Sequence, residues 1–117
     1  MPNIKNELGN IFIDNDVIAR IAGMAAMDCY GIVGMAVKNV KDGIVQLLKK
    51  ESLTKGIKLY TNNDMLSLDL HIIVEYGTNI VAIVETLTNT VKYRLEESLG
   101  FNVDKINIFI ESVRVDS

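Results

Sequence analysis

Residues 66–75 read Leu-Ser-Leu-Asp-Leu-His-Ile-Ile-Val-Glu. Leu66, Leu68, Leu70, Ile72 and Val74 alternate with Ser67, Asp69, His71, Ile73 and Glu75. Alternation sends successive side chains to opposite faces, so this segment is a long strand with one buried face. An apolar strand face of that length must be covered by helices or by a second sheet. The chain has 117 residues, the length of one domain and enough to bury a sizeable core.

The flanking segments supply helical cover. Thr78 or Asn79 caps a helix carrying the stripe Ile80, Val84, Leu87, Val91, Leu95 and Leu99, spaced by three and four, and Gly100 stops it. A last strand follows, with Ile106, Ile108 and Ile110 on one face. Val113 and Val115 switch parity, which predicts either a bulge near Ser112 or a terminal stretch that packs elsewhere. Upstream, residues 57–61 form a shorter strand, turned into the long one by Asn62, Asn63 and Asp64. Residues 11–13 form a first short strand, after which Asp14 or Asn15 caps a helix that ends at Tyr30 and Gly31. Ala19, Ala22, Gly23, Ala25 and Ala26 keep that helix thin, suited to close packing. A shorter helix is expected after Asp42, with Ile44, Leu47 and Leu48 inward. The expected order is β-α-α-β-β-α-β. The fold class is α+β, a single mixed sheet of about four strands with helices on one face. A right-handed crossover sets the last strand parallel to the long one. Residues 1–8 are expected to be a loose N-terminus and 9–115 a single domain.

Composition narrows the function classes. The net charge is −3, with 12 basic against 15 acidic residues and no basic stripe. Nucleic-acid binders concentrate positive charge, so this balance disfavours them. One cysteine, Cys29, allows no internal disulfide and points to a reducing cytosol. No apolar run approaches the ~20 residues of a membrane span, and the first residues hold no apolar stretch of signal-peptide length. Any membrane association is expected to come through a partner.

Chemistry-bearing residues are sparse. GIVG at 31–34 has the Gly-x-x-Gly pattern with which KH domains clamp a nucleic-acid backbone. Its central Ile32 and Val33 suit burial better than phosphate, so the reading is a tight turn between two helices. His71, the single histidine, shares a strand face with Asp69, an arrangement able to orient a general base. Nothing marks a nucleophile or metal for that pair to act on. Cys29 continues the apolar stripe of its helix, as structural cysteines do. No catalytic, metal-binding or cofactor-binding residue is assigned.

The sheet face opposite the helices is more informative. By parity it collects Lys58, Tyr60, Ser67, Asp69, His71, Ile73, Glu75, Lys105, Asn107, Phe109 and Glu111. A wholly solvated face would not bring Tyr60, Ile73 and Phe109 together, whereas a protein contact surface would. Tyr60, His71, Ile73 and Phe109 are therefore the candidate interaction face. The expected function is a non-enzymatic interaction or scaffold protein that self-associates. The alternative is a KH-like nucleic-acid binder.

The residues also carry a family resemblance. The matching segments, in order, are Gly9-Asn-Ile-Phe-Ile13, Val17-Ile-Ala-Arg-Ile-Ala22, Cys29-Tyr-Gly-Ile-Val-Gly-Met35, Asp42-Gly43, Val74-Glu-Tyr-Gly77, Val91-Lys-Tyr93 and Val103-Asp-Lys-Ile-Asn-Ile108. Together they resemble the alkaline-shock, general-stress cell-envelope protein family of Gram-positive bacteria, in its short one-domain branch. The resemblance implies a cytoplasmic α/β domain tied to cell-envelope homeostasis. It also implies two partners, a membrane-anchoring protein and a lipid-metabolism enzyme that the chain would regulate. It supplies no catalytic residues.

Overall fold

In chain order the elements are β1 (Asn3–Asn6), β2 (Gly9–Phe12), α1 (Asn15–Met27), β3 (Ile32–Lys38), β4 (Val45–Leu47), a 3-10 turn (Lys50–Gly56), β5 (Ile57–Asn62), β6 (Met65–Glu75), α2 (Ile80–Leu99) and β7 (Asn102–Arg114). The computed structural model describes residues 3–6, 9–12, 15–39, 41–62, 65–100 and 102–115. The α+β class and the mixed sheet are as expected.

The alternating segment is β6, the strand on which the sheet is built. One of its edges is paired in parallel with β7 from Met65 to Glu75. Its other edge is shared: β5 pairs antiparallel with residues 65–70 and β3 with residues 72–74. β4 adds antiparallel to β3. Leu66, Leu68, Leu70, Ile72 and Val74 are essentially fully buried in one core with α1 and α2 residues, so both helices cover one face. Burying each such side chain is worth about 1.5–3 kcal/mol.

The helices form as their ends dictate. Asn79 Oδ1 accepts from the Ala82 amide at 3.2 Å, and Gly100 closes α2 with φ 72°. The buried stripe of α2 is Ile83, Leu87, Val91 and Leu95; Ile80, expected in it, is exposed. In α1 the buried small residues Ala19, Ala22, Gly23, Ala25 and Ala26 allow close approach. A Cβ on Gly23 would lie 3.3 Å from that of Leu53 in the 3-10 turn. The cap expected at Asp14, and the turn residues Asn63 and Asp64, lie outside the described residues.

Three expectations change. The first is GIVG. It is no helix–helix turn, because Ile32 already begins β3. Gly31 takes φ 84° under the Ile83 side chain, and Gly34 lies beneath Leu47, whose methyl would be 2.7 Å from an added Cβ. Both glycines answer to packing. Ile32 and Val33 are half-buried rather than plugs. The second is the helix expected after Asp42, which is β4 followed by the 3-10 turn. Ile44 and Val45, being β-branched, favour extended backbone. Asp42 does cap, but it caps a hairpin turn, accepting the Ile44 amide at 3.0 Å. The third is the first expected strand: β2 pairs with Asn3–Asn6 as a separate two-stranded sheet and so lies outside the main one.

The parity switch is a real bulge. β7 shifts register between Ile110 and Ser112, leaving Glu111 as the extra residue.

The sheet forks where β3 and β5 diverge along β6. At the fork Gly56 passes Ala36 so closely that a Cβ would lie 2.8 Å from the Ala36 carbonyl oxygen. Gly56→Ala is expected to lose about 1–3 kcal/mol of unfolding free energy in a urea titration, as overpacking does. A variant as stable as the parent would contradict this close approach.

Candidate functional site

The face of the sheet away from the helices is built by β5, β6 and β7, whose registers set its side chains in rows. Lys58 is opposite Asp69, Asp69 opposite Asn107, and His71 opposite Phe109. Asp69 is the hub of the first row. Its Oδ2 accepts from the Tyr60 hydroxyl at 3.0 Å and its Oδ1 from the Asn107 amide at 3.0 Å. The carboxylate thus bridges three strands.

His71 is the hub of the second row. Its ring stacks on Phe109 with centroids 4.8 Å apart and planes 14° from parallel. Its Nδ1 lies 2.9 Å from Glu111 Oε1, the two side chains being 26% and 14% exposed. The Asp69–His71 pair suggested by their spacing does not form, because the β7 bulge brings Glu111 to His71 instead. That partner is 40 residues away in sequence, and the parity switch near Ser112 was its one visible trace. Cys29 belongs to the helix-side core, on the opposite side of the sheet from His71. Its thiol bonds the Ala25 carbonyl at 3.5 Å. These two residues therefore form no thiol–imidazole pair. Among the described residues no group of three or more histidines, cysteines and carboxylates is placed to hold a metal.

Of the four residues read as the interaction face, Tyr60 and Phe109 are 48% and 43% exposed and His71 is half-buried between them. Ile73 is fully buried. It pairs with Gly34, under Leu47, and so supports the face from within rather than presenting to a partner.

A second apolar surface escaped the sequence reading. Tyr30 and Tyr76, 82% and 70% exposed, lie beside residues that are bonded at one end of the sheet, near Val115. The backbone bonds run from Glu75 to Gly31 (2.9 Å) and from Tyr76 to Arg114 (2.7 Å). Single exposed residues in separate turns carry no periodic signal, so nothing in the sequence joined them.

The model of the alkaline shock protein 23 family, described as having a cell envelope-related function, matches residues 3–115. The chain belongs to the alkaline shock protein 23 family. The family resemblance read from the sequence is thereby borne out. YloU of Bacillus subtilis is 42% identical over 96% of this chain and 94% of its own length. Spy1614 of Streptococcus pyogenes is 33% identical over 96% and 93%. Stress response regulator gls24 homologues of S. pyogenes are 23% identical over 91% of this chain but only 59% of their own length. Among solved structures, a variant of the MamM CTD aligns with a TM-score of 0.50 and 10% identity over 89% of this chain and 100% of that one, a likeness of fold. Among the described residues no helix of this alkaline-shock family member is long and apolar enough to cross a membrane.

The Tyr60–Asp69 bond has a titration signature. The hydrogen bond to Asp69, then desolvation and the carboxylate charge, raise the Tyr60 pKa above its ordinary 10.0. The fold therefore holds the neutral phenol. This contribution to stability is complete below pH 10 and is lost as pH rises through the raised pKa. Titration of the Tyr60 ring carbon by NMR should give a pKa above 10.0 that falls in Asp69→Asn. An unchanged value in that variant would contradict the bond.

Proposed function

We propose that this protein is a non-catalytic interaction protein of the cell envelope that self-associates and engages protein partners through the sheet face away from the helices. The observation that supports this most is the fixed geometry of Tyr60 and Phe109. Each is about half exposed, yet each is held by its own partner, Tyr60 by Asp69 and Phe109 by the His71 ring. Aromatic side chains already held in place lose little freedom on binding, and tyrosine is enriched among residues that dominate interface energy. The membrane-anchoring protein and the lipid-metabolism enzyme implied by the family resemblance are the partner classes this face would serve. Recruitment to the membrane from the cytoplasm would then run through the anchoring partner.

The double variant Tyr60→Ala with Phe109→Ala should weaken self-association at least tenfold by analytical ultracentrifugation, about 1.4 kcal/mol. It should also lose partners in a tagged pull-down from the native host while keeping its circular dichroism. Tyr30→Ala with Tyr76→Ala, at the end of the sheet, serves as the comparison. An unchanged oligomer and unchanged pull-down in the first variant, or loss confined to the second, would overturn the proposal.

A further inference from the structure

The fork in the sheet opens a cleft of about 490 Å³, lined by Val37, Lys38, Asn39, Lys55, Lys58, His71 and Glu111. On the forked edge of β6, Leu70 pairs with Ile57 of β5 and Ile72 with Met35 of β3, so His71 lies at the gap between the two strands. Lys38 ends β3, Lys55 stands in the 3-10 turn and Lys58 is on β5. Three lysines from three elements thus line one concavity, in a chain of net charge −3.

None of the three is neutralised within the fold. Ion pairs among the described residues join Arg20 to Asp16, Arg94 to Asp28 and His71 to Glu111, and no lysine takes part. Lys58 is opposite Asp69 in register, but both Asp69 oxygens are already bonded to Tyr60 and Asn107. The one carboxylate in the lining, Glu111, is bonded to His71. Like charges brought together without counter-charges repel, and an anion removes that cost. The volume lies within the ~300–1,000 Å³ range of small-ligand sites.

We infer that this cleft binds the phosphate group of a small organic phosphate or a lipid headgroup, with Lys38, Lys55 and Lys58 on its oxygens. A doubly charged phosphate with several free oxygens matches a cleft lined by three lysines better than a single carboxylate does. A nucleic-acid backbone is a poorer fit, because Asp69, Glu75 and Glu111 interrupt any basic track across this face. Neither Tyr60 nor Phe109 lines the cleft, which adjoins the proposed assembly surface at His71.

The test is an NMR titration of the full chain with inorganic pyrophosphate, with sodium chloride at matched ionic strength as control. Flotation with phosphatidylglycerol vesicles forms the second arm, phosphatidylcholine vesicles being its control. Saturable shifts at Lys38, Asn39, Lys55, Lys58 and His71 are expected, with affinity at least tenfold weaker in Lys38→Gln/Lys55→Gln/Lys58→Gln. Lys105→Gln, on the same face but outside the cleft, should bind as the parent does. Pyrophosphate binding alone assigns a soluble phosphate; vesicle binding lost in the triple variant assigns a headgroup. Absence of both, retention by the triple variant, or an equal loss in Lys105→Gln overturns the inference.

Discussion

β6 is the constraint on which the molecule depends. Its eleven residues are paired along the whole of one edge by β7, and on the other edge by β5 and then β3. Its leucine face draws both helices to one side, so the other face is left without a helical layer. Every functional reading of this chain follows from that asymmetry. A single helical layer leaves a sheet face to be either solvated or used, and this one carries ordered aromatic rings.

The same strand also accounts for the cleft. Two strands that share one edge of a third must diverge between their pairing segments, and the space left is a concavity in the sheet. Gly56 against Ala36 sets how tightly the fork is drawn. The β7 bulge acts from the other edge by bringing Glu111 to His71, at the floor of the fork. Two departures from regular pairing therefore shape the part of the face where unpaired charge gathers.

Much of this was legible because it is periodic or terminal. The alternation of residues 66–75, the capping Asn79, the stopping Gly100 and the parity switch near Ser112 each have a local cause, and each holds in the fold. What was not legible depends on pairing between distant segments. The β3–β4 hairpin reads as a turn and a helix because Gly31 and Gly34 look like breakers, when their role is to admit Ile83 and Leu47. Parity placed Tyr60, His71 and Phe109 on one face correctly, but it could not tell that Ile73 is fully buried or that His71 bonds Glu111 rather than Asp69. The three lysines of the cleft come from a strand end, a 3-10 turn and a neighbouring strand, a convergence no spacing rule encodes.

The central claim is that the sheet face away from the helices is the working surface of this alkaline-shock family member. Hydrogen–deuterium exchange on the full chain at low and high protein concentration tests it most directly. The account predicts that higher concentration slows exchange in peptides covering β5, β6 and β7 around Tyr60, His71 and Phe109, leaving α1 and α2 unchanged. Protection confined to α1 and α2, or to the turns carrying Tyr30 and Tyr76, would contradict it.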